Sequence, residues 1–158
     1  MILRPGFVSR QTLEEILGEV RVDPGILGGK EDPLVRPKAP GMRYRHYAPK
    51  APLLIVEGEE DRVIRRINEL ARNDMAAGKR VGVISTKESA EAYQADVVRA
   101  VGSRGDEETV ARGLFGVLRE FDSDGVDVIY SEGFSSPGLG MAIMNRLLKA
   151  AGHRVINV

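Results

Sequence analysis

The feature that most constrains the fold is a regular exchange between short apolar runs and helical segments after Pro52. The apolar runs lie at 53–56, 80–85, 97–101, 126–130 and 154–158. Helical periodicity fills the intervals at 59–77, 87–93, 107–121 and 139–151. Because strands that alternate with helices form right-handed βαβ units, the pattern predicts an α/β domain. We expect an open, mostly parallel five-stranded sheet with helices on both faces.

The residues before this domain predict one short helix. Ser9 can cap it, Leu13, Ile16 and Leu17 lie on one face, and Gly18 can end it. A helix of about ten residues is marginal alone, so this one needs a partner surface. The alternation at 20–22 suggests one further short strand.

The segment 23–52 has no periodicity and holds six of the eight prolines. Proline removes a backbone donor and biases its predecessor toward extended conformations. A loop of this length is uncommon inside a compact domain, so it indicates a linker or a functional arm. The sequence therefore predicts three parts: 1–22, a Pro-rich linker at 23–52, and the α/β domain at 53–158.

Composition excludes several classes of site. The chain has no cysteine, which excludes disulfides, thiolate metal sites and thiol catalysis, and its two histidines argue against a His-rich metal site. Its 23 basic and 23 acidic residues cancel, which argues against a nucleic-acid binder that uses its whole surface. The balance is uneven, however: residues 1–50 carry an excess of three positive charges and 51–158 an excess of three negative ones.

Hydroxyl side chains follow the predicted strands of the α/β domain. In open α/β sheets, ligands bind beyond the carboxyl ends of the strands, where hydroxyls and helix N-termini hold anions. The hydroxyl-bearing candidates for such an anion site are Ser85, Thr86, Ser103 and Ser131. Serine and threonine are also preferred helix N-caps, and for each residue taken singly the sequence favours capping.

The densest cluster of functional side chains lies in the linker. Its members are Arg43, Tyr44, Arg45, His46 and Tyr47. Arginine offers planar, bidentate donors to phosphate, and tyrosine can stack on a base, so an arm of this kind can close over a nucleotide. A solvated basic linker and a site for single-stranded nucleic acid are the alternatives, and composition alone slightly favours the solvated linker.

Three stretches resemble the long, two-domain form of threonylcarbamoyl-AMP synthase. The stretch 39–49 (APGMRYRHYAP) resembles the family's interdomain linker, which usually reads PGMKYRHYAP. The stretch 2–6 (ILRPG) resembles the last strand of the YrdC-type catalytic domain. The stretch 138–147 (GLGMAIMNRL) resembles the signature of the C-terminal domain, so the likeness covers essentially the whole chain.

The resemblance implies an ATP-dependent reaction of L-threonine and bicarbonate that gives threonylcarbamoyl-AMP and pyrophosphate for tRNA modification in the cytoplasm. It implies a Rossmann-like C-terminal domain, a linker that acts as active-site lid, and Mg²⁺-ATP held mainly by the catalytic domain. The substrate-contacting residues that it implies are Arg4, Arg43, Tyr44, Arg45, His46 and Tyr47.

The chain departs from the family by lacking nearly all of the catalytic domain. We therefore expect the rear region of a longer enzyme, inactive alone, with no catalytic residue, metal site or tightly bound cofactor of its own. Its partner would be the YrdC-type domain, and neither direct tRNA binding nor a membrane is expected. The alternatives are a free-standing module that binds a small ligand and an RNA-binding domain that uses the basic linker.

Overall fold

The computed structural model describes residues 1–3, 8, 10–23, 48–134 and 139–158, with the side chain of Leu139 left out. Its core is one five-stranded sheet in which every paired strand is parallel. The strands are β1 (Leu53–Glu57), β2 (Val81–Ser85), β3 (Val97–Ala100), β4 (Val128–Glu132) and β5 (Val155–Asn157). The helices are α1 (Arg10–Leu17), α2 (Glu60–Ala76), α3 (Glu107–Asp124) and α4 (Leu139–Ala151).

The strand order β3-β2-β4-β1-β5 explains why helices lie on both faces. The chain moves across the sheet in one direction from β1 to β3 and returns in the other direction from β3 to β5. Right-handed crossovers in opposite directions place α2 on one face and α3 with α4 on the other. The predicted α/β class, with five strands and helices on both faces, is confirmed.

Two apolar cores, one on each face of the sheet, match the periodicity of the helices. On one face, Val63, Ile67 and Ala71 of α2 recur every four residues and pack with β1, β2 and β4. On the other, the apolar stripes of α3 and α4 pack against Leu53 and Ile55 of β1. The helices α2, α3 and α4 therefore each bury the face that their sequence marks as apolar.

Glycine decides how closely α3 approaches the sheet. A side chain at Gly82 of β2 would place its Cβ 2.6 Å from the ring of Phe121. At the carboxyl end of α3, Gly125 adopts φ +65° and ends the helix in the left-handed conformation that glycine accepts most readily. The helix α3 thus ends at Asp124, three residues beyond its predicted end at 121.

One predicted helix is reduced to a single turn. The segment 87–93 forms only a 3-10 turn at Ala90–Ala92. Asn68 of α2 forms two hydrogen bonds with this segment. Its side-chain amide N–H donates to the carbonyl of Ala92 at 2.8 Å, and its side-chain oxygen accepts from the backbone N–H of Gln94 at 2.8 Å. Because these bonds and the burial of Tyr93 fix the segment against α2, it does not continue as a helix.

The fourth strand begins two residues later than the pattern predicts. The carboxylate of Asp127 accepts a hydrogen bond from the backbone of Arg80 at 2.8 Å, and the backbone N–H of Asp127 donates to the Arg80 carbonyl at 2.7 Å. Regular pairing of β4 with β2 then starts at Val128. The apolar residue Val126 is buried in the loop and is not part of the strand.

The residues before the linker form the predicted short helix, α1, and one parallel bridge between Ile2 and Val22. Gly18 adopts φ +76° just after α1, as expected for a helix end. None of the residues of α1 is buried by the described part of the chain, and Ile16 is 74% exposed. The three-part division of the chain stays a prediction.

Candidate functional site

The candidate site is a cavity of about 430 Å³ at the carboxyl ends of β1 and β4. The chain leaves β1 toward α2 on one face and leaves β4 toward α4 on the other, so a crevice opens between these neighbouring strands. The lining residues are Glu57, Gly58, Glu60, Val63, Tyr93, Arg104, Glu132 and Gly133. The topology alone therefore explains where the cavity lies.

A buried carboxylate, that of Glu132, organises one wall. The residue is 2% exposed, and a carboxylate at such a place requires partners because burial disfavours its charge. Its Oε1 accepts hydrogen bonds from the hydroxyls of Ser89 and Tyr93, the latter at 2.7 Å. Its Oε2 accepts from the guanidinium of Arg104 at 2.9 Å.

Tyr93 acts as a hydrogen-bond donor in this network. Burial raises the pKa of its hydroxyl, and the neighbouring Glu132 carboxylate raises it further, because both disfavour the phenolate. The phenol therefore keeps its proton across the physiological range. Tyr93 directly follows the 3-10 turn, and its side chain is buried. The helical pattern of the sequence did not predict this turn.

Arg104 links the wall to the mouth of the cavity. Its guanidinium also lies 3.3 Å from a carboxylate oxygen of Glu60, at the first turn of α2. The side chains of Arg104 and Glu60 are 44% and 47% exposed, so this outer ion pair contributes little to stability. One guanidinium is thus shared between two carboxylates.

Glu88 holds the loop that carries Arg104. One of its oxygens accepts from the Ser103 hydroxyl and the other from the backbone N–H of Arg104 at 3.0 Å. The Ser103 hydrogen bond and then the Arg104 backbone bond lower the pKa of Glu88 to about 2. The tether therefore keeps its charge at ordinary pH and sets the position from which Arg104 reaches Glu132.

Two glycines, Gly58 and Gly133, line the floor of the cavity. Gly58 adopts φ +149° directly after β1, and a Cβ there would collide with the carbonyl oxygen of Val158. A Cβ on Gly133 would lie 2.6 Å from the Cγ of Glu57. Glycine at both positions allows β1, β4 and the end of the chain to meet closely.

The four hydroxyls predicted as an anion site do not form one cluster. Thr86 pairs with Ser89 at 2.9 Å, whereas the hydroxyl of Ser103 donates to Glu88. The hydroxyl of Ser131 donates to the carbonyl of Glu132 at 2.9 Å, and that of Ser85 is buried with no hydrogen-bond partner among the described residues. Ser131 follows Ile129 on the α3–α4 face because side chains alternate along a strand. Anion binding by these residues stays a prediction.

The linker residues lie outside the described part of the chain. Arg4 and the cluster Arg43, Tyr44, Arg45, His46 and Tyr47 therefore keep the roles that the resemblance implies, as predictions. Sequence reasoning flagged the strand ends at 102–104 and 131–133 but assigned no role to Tyr93, Arg104 or Glu132. The available signal was a charged residue within three positions of the predicted end of a strand, Arg104 in the first stretch and Glu132 in the second.

A metal site and a membrane-spanning helix are both absent from the described residues. Among them, no group of three or more histidine, aspartate or glutamate side chains is arranged to hold a metal ion. Within the same part of the chain, no helix has both the length and the apolar character that crossing a membrane requires.

The family model that describes the threonylcarbamoyl-AMP synthase C-terminal domain matches residues 8–152. The chain belongs to this family. The synthase of Bacillus subtilis (strain 168) is 46% identical over 156 residues, which are 99% of this chain and 43% of that protein. The synthase of Pyrococcus abyssi is 46% identical over 158 residues, 100% of this chain and 44% of that protein. The chain thus spans less than half the length of these curated relatives.

Solved structures agree with the assignment to the synthase C-terminal domain family. Pyrococcus abyssi Sua5 complexed with L-threonine matches with a TM-score of 0.85 and 46% identity, over 99% of this chain and 43% of that one. The C-terminal Sua5 domain from Pyrococcus horikoshii matches with a TM-score of 0.58 and 40% identity, over 70% of this chain and 100% of that one. The resemblance found in the three sequence stretches is therefore confirmed.

Proposed function

We propose that this chain is the C-terminal accessory and gating region of a threonylcarbamoyl-AMP synthase. The observation that carries the proposal is the end-to-end match, at 46% identity, to two synthases that are more than twice as long. The complete enzyme would join L-threonine and bicarbonate to the AMP of ATP, release pyrophosphate, and so supply threonylcarbamoyl-adenylate for tRNA modification. This role places the protein in the cytoplasm.

An N-terminal YrdC-type catalytic domain is the proposed partner. The exposed large apolar side chains of the described residues all fall before residue 18: Met1, Val8, Ile16 and Leu17. Two of them, Ile16 and Leu17, are adjacent at the end of α1, and exposed apolar side chains that lie together mark a contact surface. Their exposure supports docking of α1 on that catalytic domain. ATP, Mg²⁺, L-threonine and bicarbonate are assigned to that domain, and no direct contact with tRNA is proposed here.

The linker motif is proposed to close over the nucleotide. Arg43 and Arg45 would stabilise the negative charge that develops as pyrophosphate leaves, while Arg4 contacts the nucleotide. Tyr44, His46 and Tyr47 would complete the lid, which shields the adenylate from hydrolysis by water. The support for this step is the likeness of 39–49 to the family's linker.

A domain exchange tests the proposal. The matching C-terminal part of the Bacillus subtilis synthase is replaced by this chain, and pyrophosphate release from ATP, L-threonine and bicarbonate is measured. We expect the chimera to be active and this chain alone to show only background release. In the chimera, Arg45→Ala should lower kcat by about a hundredfold, as loss of a donor to developing charge does elsewhere.

Lys38→Ala is the matched control, since it removes a linker cation outside the motif. It should leave pyrophosphate release within about twofold of the unsubstituted chimera, because a cation outside the motif is not expected to stabilise the charge on the nucleotide. Pyrophosphate release by the isolated chain would contradict the accessory role. Equal losses in Arg45→Ala and Lys38→Ala would contradict the lid.

A further inference from the structure

The residues just before β1 are held against the α/β domain one after another. The backbone N–H of Lys50 donates to a carboxylate oxygen of Asp122 at 2.7 Å. Ala51 packs against the core on the α3–α4 face. The carbonyl of Pro52 accepts from the N–H of Ile129 at 2.9 Å. The bond to Asp122 is the outermost of these contacts, and it depends on a polar side chain that a substitution can remove.

Asp122 occupies a position that its own helix does not favour. It lies in the last turn of α3, where the partial negative charge of the helix end disfavours a carboxylate. Asp124 in the same turn is compensated by Arg99, whose guanidinium donates to both carboxylate oxygens at 2.7 and 2.8 Å. Asp122 accepts from Lys50, 72 positions earlier in the chain. Helix stability therefore does not explain an acid at this position, whereas the contact with the segment before β1 does.

The contact between Asp122 and Lys50 lies at the amino-terminal edge of the sheet. Helix α3 runs antiparallel to the strands and ends at Asp124, shortly before β4 begins. The cavity lies at the carboxyl ends of β1 and β4, roughly 16 Å away along a five-residue strand. The contact is therefore independent of the cavity and of its carboxylates.

The distance along the chain makes this contact relevant to the linker motif. Lys50 comes three residues after Tyr47, the last residue of the proposed lid. A chain covers at most about 3.6 Å per residue, so a fixed Lys50 confines the end of the motif to within about 11 Å. Release of Lys50 lengthens the free tether, and a longer tether lowers the effective concentration of the group that it carries.

We propose that Asp122 is a positioning residue for the linker lid. By holding the backbone of Lys50, it sets the point from which the linker leaves the α/β domain and so keeps the motif near one place. The inference deepens the proposed function and rests on it, since the lid belongs to that proposal. Asp122 acts through the linker backbone and not on the substrate.

Hydrogen exchange in the chain alone tests the contact without any activity. We expect the N–H of Lys50 to be protected, and Asp122→Ala to speed its exchange by at least about fivefold, the size of effect of one hydrogen bond to a partly exposed charged group. The N–H of Ile129 is the internal reference, because it donates to Pro52 and should exchange equally slowly in both proteins. Exchange at Lys50 that Asp122→Ala leaves unchanged would overturn the proposal.

Kinetics of the chimera with the Bacillus subtilis synthase test the positioning role. Asp122→Ala should lower kcat for pyrophosphate release about fivefold and leave KM for ATP within about twofold, because the catalytic domain holds the nucleotide. Asp122→Asn keeps an oxygen acceptor for the Lys50 N–H, so its kcat should stay within about twofold. Alanine favours the helix and removes a charge that opposes its dipole, so the thermal midpoint should not fall. A lower kcat at an unchanged midpoint separates positioning from loss of the fold.

Glu120→Ala is the matched control. It removes the same charge near the same end of α3, where Glu120 is 52% exposed and pairs with Arg99, and it should leave kcat within about twofold. An inactive unsubstituted chimera would overturn the proposed function and the lid role with it. An active chimera in which Asp122→Ala has no effect would overturn the role of Asp122 alone. Equal losses of kcat in Asp122→Ala and in either Asp122→Asn or Glu120→Ala would do the same.

Discussion

Helices α1 and α2 both carry an amphipathic pattern, yet only α2 is covered by the rest of the described chain. Val63, Ile67 and Ala71 of α2 are buried against the sheet. Ile16 and Leu17 of α1 are 74% and 68% exposed. A helix of eight residues is marginal without packing, so α1 requires a surface that the α/β domain does not provide. The contrast shows that an apolar stripe predicts a contact but does not identify its partner.

The largest predicted effect is the difference in stability between a substitution on α2 and one on α1. Ile67→Ala leaves a cavity in a fully buried site and should lower the free energy of unfolding by about 4 kcal/mol. Leu17→Ala on α1 should change it by less than about 0.5 kcal/mol, because the side chain is already in water. Urea unfolding followed by circular dichroism measures both. Similar losses in the two variants would mean that α1 is packed in solution.

The same contrast applies to charged side chains. Glu132→Gln leaves the guanidinium of Arg104 without its buried carboxylate and should cost about 2 kcal/mol, below the range for fully buried pairs because Arg104 is partly exposed. On α1, Glu14 pairs with Arg10 at 2.7 Å in solvent, so Glu14→Gln should cost about 0.3 kcal/mol. Urea midpoints measure the difference, and a loss at Glu14 as large as that at Glu132 would refute it.

Within α3, two glycines repeat the comparison between covered and open positions. A Cβ on Gly116 meets nothing within 4 Å, so Gly116→Ala should stabilise the protein by about 1 kcal/mol through helix propensity. A Cβ on Gly113 would collide with the backbone carbonyl of Val101, so Gly113→Ala should destabilise it instead. Thermal midpoints should therefore move in opposite directions, and a shift of the same sign in both would rule out the close contact.

The smallest effect concerns the tether at Glu88. A carboxyl whose pKa is lowered in the folded state contributes stability that is present above its unfolded pKa and lost as pH falls through the folded one. For Glu88 that window runs from the ordinary value of 4.5 down to about 2. NMR titration should place its midpoint near 2, and Ser103→Ala should raise the pKa toward the ordinary value. A midpoint unchanged by Ser103→Ala would show that the hydroxyl does not hold Glu88.

The strands and three long helices were predictable because their signals are local. An apolar run such as 53–56 and the four-residue spacing of Val63, Ile67 and Ala71 depend only on neighbouring residues. The segment 87–93 was predicted wrongly as a helix because Asn68, about twenty residues earlier in the chain, fixes it as a turn. A hydrogen bond between distant residues leaves no periodic trace.

The candidate site shows the same limit. Residues 102–104 and 131–133 were recognised as strand ends, and the rule that ligands bind there pointed to the correct edge of the sheet. That Arg104 lies 2.9 Å from Glu132, and that Tyr93 completes the wall, depends on three loops folding over one crevice. The resemblance of 39–49 pointed to the family, which the comparisons confirmed.

By itself, the sequence determined the α/β class, the parallel sheet, the apolar faces of the helices and the family, since each is written in local spacing or in a continuous motif. Only the tertiary structure decided the strand order and therefore the crevice between β1 and β4. It alone brought Glu57, Glu60, Tyr93, Arg104 and Glu132 around one cavity, and it buried the hydroxyl of Ser85 where no described residue pairs with it. The physical reason is that charge balance and burial in a cavity depend on which residues meet in space, whereas periodicity depends only on their order in the chain.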